Sequence, residues 1–212
     1  MSPKVQNIDC LEFMQNFPDN YFELAIVDPT YNVGASDGKF GNRTKDSKTS
    51  NLKHYANHDK TPNKDYFDEL FRISQNQIIW GSNYYPQFLH HSGAIIWHKK
   101  TVGPLSDCEI AFQSFNKLVK YYYHEWFGFN KGSEKNTDRM HPNQKPVALY
   151  RWLLKNYGNP GDKILDTHLG SGSSRIAADM EGFDFYACEL DADYFTASCK
   201  RFDDYKKQIK LL

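Results

Sequence analysis

The sequence predicts an α/β protein with a doubly wound, mostly parallel sheet. Short apolar runs rich in β-branched residues alternate with amphipathic helical patterns along the 212 residues, and this alternation favours a parallel sheet. The run at 24–27, Leu-Ala-Ile-Val, is unbroken, as is typical of a strand buried on both faces. A chain of this length fits a single domain, 1–212, with a full core.

Eight runs are expected to form strands and five patterns to form helices. The strand-like runs lie at 4–8, 22–27, 77–80, 94–97, 109–115, 121–127, 163–165 and 185–188. The helical patterns lie at 10–17, 64–74, 146–156, 174–181 and 194–209. The third helix is the best defined, because Pro146 suits its first position and Gly158 suits the position after its last turn. Its apolar stripe consists of Leu149, Trp152, Leu153 and Tyr157.

The composition is typical of a cytoplasmic protein. No apolar run has the length of a membrane span or the character of a signal-peptide core. The four cysteines form no CxxC pair and are expected to be reduced thiols. None of the eight histidines stands with Cys or acidic residues at a zinc-ligand spacing, so no metal is expected.

Basic charge is concentrated in two segments of a chain whose net charge is zero. Residues 38–64 carry seven Lys or Arg against two acidic residues, and residues 116–145 carry six against three. Zero net charge argues against a general nucleic-acid coat protein, but cations mixed with aromatic residues suit phosphates and unstacked bases. Taken singly, each segment is more simply explained as a solvated loop. The polar, non-periodic stretch 32–63 is predicted to be a mobile loop over the substrate.

The first informative motif is Asp28-Pro29-Thr30-Tyr31, which directly follows the apolar run at 24–27. Ligands of open α/β sheets bind outside the carboxyl ends of the strands, so these residues are expected at the site. An acid and a proline are also common in an ordinary turn. This stretch alone therefore leaves both interpretations open.

The second motif is a glycine turn at 170–172, Gly-Ser-Gly, which follows a short strand ending in Asp166 and leads into a helix. Such glycines let the backbone approach a ligand closely. The next strand ends in Glu189, where an acid is placed to accept hydrogen bonds from ribose hydroxyls. A dinucleotide site would need a third glycine, and Arg175 stands there. Asp166 would repel a pyrophosphate but suits the cationic cofactor S-adenosyl-L-methionine.

Together these motifs resemble the amino-methyltransferases of DNA, in particular their β class. The signature of that family, Asp/Asn/Ser-Pro-Pro-aromatic, matches 28–31, and the order of the motifs matches the permuted class. The segment 141–154, HPNQKPVALYRWLL, resembles the motif that borders the methionine end of the cofactor. The likeness covers nearly the whole chain and extends, more loosely, to small stand-alone enzymes of phages and prophages. It implies a Rossmann-like, circularly permuted methyltransferase fold with a seven-stranded sheet.

The resemblance also implies roles for individual residues. The catalytic set would be Asp28, Pro29 and Tyr31. The S-adenosyl-L-methionine site would comprise Asp9, Cys10, Asp28, Lys145, Asp166, His168, Gly170, Ser171, Gly172, Ser173, Glu189 and Leu190. The contacts to double-stranded DNA would include Thr30, Tyr31, Asn32, Lys39, Arg43, Lys120 and Arg139. Thr30 and His168 depart from the family pattern, which has a second proline and a phenylalanine at these places.

These residues suit methyl transfer to an exocyclic amine of a DNA base. The Asp28 side chain and the Pro29 carbonyl are two acceptors that can hold the amine hydrogens and direct its lone pair toward the methyl donor. A base inside a duplex must be flipped out, and stacking on Tyr31 would offset part of that cost. In the family an acid at the first position goes mostly with adenine, so adenine N6 is the expected target.

The sequence leaves the target site and some alternatives open. The segment 101–140 is interpreted as a short target-recognition insert, and a homodimer is one hypothesis for completing it. The alternatives are a cytosine-N4 DNA methyltransferase, an RNA or protein methyltransferase that holds a similar amine, and an inactive cofactor-binding DNA-binding protein. A hydrolase is not expected, because residues 170–174 do not form the Gly-x-Ser-x-Gly elbow.

Overall fold

The computed structural model describes residues 4–30, 61–90, 93–101, 106–126, 131–134, 140–141 and 143–209. Most of the predicted loop 32–63 and parts of the predicted recognition insert 101–140 lie outside these ranges. Five residues expected at the DNA also lie outside them: Tyr31, Asn32, Lys39, Arg43 and Arg139.

Eight strands and five α-helices are found in the described residues. The strands are β1 (Val5–Asn7), β2 (Phe22–Val27), β3 (Ser74–Trp80), β4 (Ala94–His98), β5 (Cys108–Gln113), β6 (Val119–Tyr123), β7 (Lys163–Asp166) and β8 (Asp184–Glu189). The α-helices are α1 (Cys10–Met14), α2 (Lys64–Ile73), α3 (Val147–Tyr157), α4 (Ser173–Glu181) and α5 (Ala192–Ile209). Among the described residues, no helix combines the length and apolar character needed to cross a membrane.

The strands form one sheet in the order β1-β8-β7-β2-β3-β5-β4-β6. The five strands from β1 to β3 run parallel, β5 is antiparallel to both of its neighbours, and β6 runs parallel to β4. This confirms the mostly parallel α/β sheet. The expected count of seven strands is wrong, because the exposed strand β6 pairs with the outer edge of β4 and makes the described sheet eight-stranded.

The two faces of the sheet are covered by different helices, which gives the core two layers. Along β2, Leu24 and Ile26 pack with residues of α3 and α4, whereas Ala25 and Val27 pack with residues of α1 and α2. All four side chains are at most 2% exposed. Successive side chains of a strand point to opposite faces, so this strand is buried on both, as predicted from its unbroken apolar run.

Helix α3 follows the predicted pattern with a shift of one residue at its start. Pro146 has extended backbone, with φ −70° and ψ 148°, and so it caps the helix instead of occupying its first turn. Gly158 caps the other end and donates its N–H to the Leu154 carbonyl. Leu149 and Leu153 of the predicted stripe are fully buried. Their burial fixes α3 on the sheet and places the residues just before it at the carboxyl edge.

The neighbouring strands β2, β7 and β8 end at the same edge of the sheet, because they are parallel and adjacent. The residues that follow β2 are therefore brought to those that follow β7 and β8, although more than 100 positions separate them in sequence. Strand β5 is antiparallel, so its first residues, and not its last, lie at this edge. The candidate site forms here, as is usual for open α/β sheets.

Candidate active site

A cavity of about 770 Å³ opens at this edge of the sheet. Its wall includes Asp28, Pro29 and Thr30 after β2, the glycine turn after β7, and Glu189 at the end of β8. The volume lies in the range of sites that enclose a cofactor-sized ligand. The structure therefore brings the two sequence motifs to one cavity. The full set of predicted site residues that line it is Asp9, Cys10, Asp28, Pro29, Thr30, Lys145, His168, Gly170, Ser171, Ser173, Glu189 and Leu190.

Asp28 lines this cavity, and its carboxylate has one bonded and one unbonded oxygen. Its Oδ2 accepts a hydrogen bond from the Lys145 ammonium. Its Oδ1 is buried and has no hydrogen-bond partner among the residues that the structure describes. Burial raises the pKa of Asp28, and the Lys145 cation opposes that shift. An unsatisfied buried acceptor is costly, and here it points to a donor supplied by a ligand.

The main chain after Asp28 is held by a buried tyrosine. The Tyr85 hydroxyl contacts the carbonyl oxygens of Pro29 at 3.0 Å and Thr30 at 2.7 Å and donates to them. Tyr85 is fully buried and packs against Phe67 of α2. Thr30 stands where the related family has a second, rigid proline. The tyrosine restrains the chain at that point, and the Pro29 carbonyl keeps a second lone pair.

Replacing Tyr85 by phenylalanine is expected to destabilise the protein while keeping the ring in place. The two carbonyls would lose a buried donor, which costs about 1–3 kcal/mol in free energy of unfolding. Urea denaturation of the purified variant measures this cost. The same change at the neighbouring Tyr84, which is 42% exposed, serves as the control. Equal stabilities of the two variants would contradict the role given to the Tyr85 hydroxyl.

The glycine turn adopts the backbone conformation that its sequence predicts. Gly170 and Gly172 have φ angles of +51° and +74°, which side-chain-bearing residues rarely adopt. The Gly170 N–H donates to Oε2 of Glu189 at 2.8 Å, and the Asp191 N–H donates to Oε1 at 3.0 Å. Burial raises the pKa of Glu189, and these backbone donors oppose it. Glu189 thus connects the turn to the end of β8 while facing the cavity.

Asp166 supports the glycine turn from behind and, like Gly172, is not part of the cavity wall. Its Oδ1 accepts the His168 N–H at 3.0 Å, and its Oδ2 accepts the Ser174 hydroxyl at 2.5 Å. It is 2% exposed. Burial raises its pKa to about 7, against the effect of these two donors. The carboxyl group therefore organises the start of α4, and any interaction with a cofactor would act through space.

Asp166→Asn is expected to stabilise the protein more at pH 8 than at pH 5. The native carboxyl group has a raised pKa of about 7, so ionisation of the unfolded chain lowers stability as pH rises toward that value. Asparagine keeps an acceptor for His168 and can donate to the Ser174 oxygen, but it carries no charge to bury. Urea denaturation at the two pH values measures the difference. An equal change of stability at both pH values, or a larger gain at pH 5, would contradict this account.

Two further predicted residues, Asp9 and Cys10, lie at the start of α1. Asp9 caps this helix, because its Oδ1 accepts the N–H groups of Leu11 at 2.8 Å and Glu12 at 3.3 Å. Burial raises the pKa of the Cys10 thiol to about 12, so it stays protonated at neutral pH. Asp9 therefore has a structural function that is independent of any ligand.

His168 faces the cavity as a neutral ring. Burial lowers its pKa to about 4. Its Nδ1 lies 2.9 Å from the Thr167 hydroxyl, which lies 2.7 Å from the Tyr66 hydroxyl. This buried chain fixes the orientation of the ring. An imidazole here offers one polar atom to a ligand, which the phenylalanine of the related family does not.

Several residues of the site were not predicted from the sequence. Tyr85 could have been suspected, because it follows the end of β3 at the same edge. Glu109, whose Oε2 lies 3.2 Å from the Lys145 ammonium, could not, because its position depends on β5 being antiparallel. Lys120, predicted to contact DNA, lies on the exposed strand β6 and is not part of the cavity wall. In the described ranges, no group of three or more His, Cys, Asp or Glu could hold a metal ion.

Comparison with known proteins identifies the family. A family model described as DNA methylase, of the N6/N4 type, matches residues 47–200. The chain belongs to this family. The type II methyltransferase M2.MboI of Moraxella bovis is 22% identical over 95% of this chain and 88% of its own length.

Solved structures show that the fold is shared with other methylases. The structure described as the M1.HpyAVI–SAM complex has a TM-score of 0.61 at 18% identity, over 93% of this chain and 98% of the other. The cytosine-N4-specific PvuII DNA methyltransferase has a TM-score of 0.60 at 15% identity, over 93% of this chain and 85% of the other. The Rossmann-like methyltransferase fold predicted from the motifs is thus confirmed.

Proposed function

We propose that the protein transfers a methyl group from S-adenosyl-L-methionine to the N6 amino group of adenine in double-stranded DNA. One observation carries this proposal: Asp28, whose buried Oδ1 has no hydrogen-bond partner among the described residues, lines the same cavity as the glycine turn and Glu189. Membership of the DNA methylase family supports the reaction class. The single domain 1–212 and the recognition role of 101–140 remain proposals within this function.

The cavity fits the cofactor in size and in the donors and acceptors of its wall. Glu189 would accept hydrogen bonds from the ribose hydroxyls, and the turn at 170–172 would let the backbone approach closely. Asp9 would lie near the adenine ring, and Lys145 would lie near the methionine end, as the family resemblance implies. When bound, S-adenosyl-L-methionine supplies an electrophilic methyl group on a sulfonium, and transfer of that methyl group would leave S-adenosyl-L-homocysteine as the second product.

The protein's part in the reaction is to orient and polarise the target amine. Asp28 Oδ1 would accept one amine hydrogen, and the second lone pair of the Pro29 carbonyl would accept the other. Two acceptors localise the nitrogen lone pair, which is otherwise delocalised into the base. After transfer, the proton released by the amine passes to Asp28 or to water.

Access to the amine requires the base to leave the duplex, which costs a few kcal/mol. We assign stacking of the flipped base to Tyr31, an interaction of about 1–3 kcal/mol. Thr30, which precedes Tyr31 in the sequence, lines the cavity. The DNA backbone would be contacted by the cations of 38–64, including Lys39 and Arg43. Lys120 and Arg139 would contribute from the recognition segment, which a homodimer could extend.

Adenine is proposed over cytosine because an acid at the first signature position goes mostly with adenine in the related family. The likeness to a cytosine-N4-specific structure keeps the N4 reaction as the competing outcome. The two bases present amines of similar geometry, so Asp28 and Pro29 would serve either. The size of the base pocket decides between them.

The test is to incubate the purified protein with methyl-labelled S-adenosyl-L-methionine and, separately, double-stranded DNA, RNA and protein. Nucleoside digestion and mass spectrometry then identify the methylated base. We expect label in DNA as N6-methyladenine. N4-methylcytosine would overturn the base assignment alone, and label in RNA or protein only would overturn the proposed function.

A further inference from the structure

Four charged side chains of alternating sign form a chain that ends at Asp28. The Lys99 ammonium lies 2.8 Å from Oε1 of Glu109, and Oε2 of Glu109 lies 3.2 Å from the Lys145 ammonium. The same ammonium binds Oδ2 of Asp28. Lys145 is therefore shared by two carboxylates, one at the cavity and one behind it.

This chain lies inside the protein, unlike the ion pairs at its surface. The exposed fractions of the side chains are 17% for Lys99, 22% for Glu109, 4% for Lys145 and 14% for Asp28. Charged side chains that are largely buried interact more strongly than exposed pairs. The Lys145 ammonium also lies 5.5 Å from the centroid of the Trp80 ring, which limits its movement. Removing the charge of Lys99 or Glu109 should therefore change the pKa of Asp28.

Lys99 and Glu109 act at a distance from any ligand. Neither is part of the cavity wall, whereas Asp28 and Lys145 are. Glu109 lies at the carboxyl edge of the sheet because β5 is antiparallel. Its partner on the adjacent strand β4 is Trp97. Lys99 directly follows β4. The backbone of β4 and β5 thus holds Lys99 and Glu109 behind Lys145 and Asp28.

We propose that Glu109 and Lys99 are positioning residues for methyl transfer: Glu109 competes with Asp28 for the Lys145 ammonium, and Lys99 limits that competition. This inference rests on the proposed function of Asp28. The shared cation keeps Asp28 ionised without binding both of its oxygens, so Oδ1 stays available for the amine. If Glu109 drew Lys145 away completely, the pKa of Asp28 would rise further, and a protonated carboxyl group is a weaker acceptor than a carboxylate.

The groups around Asp28 act in opposite directions on its pKa. Burial raises it, and Glu109 from β5 raises it further, whereas Lys145 and Lys99 lower it. Among the residues that the structure describes, two other titratable groups interact with Asp28. Asp166, at the end of β7, interacts repulsively with it, as would an ionised Tyr150 of α3. Removing Lys99 should therefore raise the pKa of Asp28, and neutralising Glu109 should lower it.

The test measures the Asp28 pKa directly by ¹³C NMR titration of protein labelled at aspartate, with Asp28→Asn to assign the resonance. For Lys99→Met we expect a pKa higher by about 0.5 unit or more, and for Glu109→Gln a lower pKa. The acidic limb of the kcat–pH profile should move in the same directions. Lys100→Met is the matched control, because Lys100 is adjacent but pairs with Glu125 at the surface.

Opposite shifts in the two variants and none in the control would support the proposal. Shifts of the same sign, or equal effects of Lys99→Met and Lys100→Met, would overturn it. If Glu109→Gln does not fold, the comparison of Lys99→Met with Lys100→Met decides the test. Failure of the wild-type protein to methylate DNA would overturn the proposed function instead, and the NMR titration would still report on the charge chain.

Discussion

Asp28→Ala is expected to lower kcat for methyl transfer by about 10³-fold or more. The change removes the buried acceptor Oδ1, so the amine keeps its lone pair in the base ring. Binding of S-adenosyl-L-methionine should remain measurable, because the glycine turn and Glu189 are untouched. Lys145 keeps Glu109 as a partner, so the variant should fold. Single-turnover transfer of labelled methyl to DNA measures the loss.

Two further measurements separate catalysis from stability in this variant. Calorimetric titration with S-adenosyl-L-methionine should give an affinity within a few-fold of the wild type. Asp68→Ala, which removes an exposed carboxylate of α2 paired with Lys64, should transfer methyl groups at the wild-type rate. If Asp28→Ala turned over at a rate close to that of the wild type, the assignment of Asp28 as the amine acceptor would be contradicted.

Glu189→Ala is expected to weaken binding of S-adenosyl-L-methionine by about 100-fold, which corresponds to roughly 3 kcal/mol. The change would remove the acceptor for the ribose hydroxyls. It would also release the N–H groups of Gly170 and Asp191, which Glu189 accepts in the structure. The turn would then lose both a ligand contact and its support. Calorimetric titration of the cofactor in the absence of DNA measures the loss.

Glu189→Gln provides the graded comparison for this prediction. Glutamine keeps one acceptor oxygen but replaces the other by a donor, so an intermediate loss of affinity is expected. Glu12→Ala changes an exposed acid of α1 and should bind the cofactor as the wild type does. An affinity of Glu189→Ala within threefold of the wild type would show that the ribose does not lie at Glu189.

Local pattern was enough to predict the elements that position the site. The unbroken run of β2 specified a strand buried on both faces, and the glycines at 170 and 172 specified a turn that needs positive φ. Since ligands bind at the carboxyl ends of parallel strands, both motifs could be placed at one edge of the sheet from the sequence alone. The ends of helices were predicted less accurately than their presence. Helix α1 was expected to reach residue 17, but it ends at Met14.

Long-range pairing was what the sequence could not supply. Nothing local marks β5 as antiparallel, and this orientation alone brings Glu109 to Lys145. The seven-stranded sheet was expected from the resemblance, and β6 exceeds that count because its exposed residues still pair with β4. Tyr85 was passed over because its contact to Pro29 depends on how the chain turns after β3. Each of these features depends on how distant segments of the chain pair or turn, and not on local composition.

The account depends on the amine and the methyl donor meeting between the end of β2 and the glycine turn. A crystal structure with S-adenosyl-L-methionine bound tests this most directly. We expect the ribose on Glu189, the adenosine along the turn at 170–172, and the sulfonium methyl group directed toward Asp28. A cofactor bound elsewhere, or one whose methyl group points away from Asp28, would contradict the account.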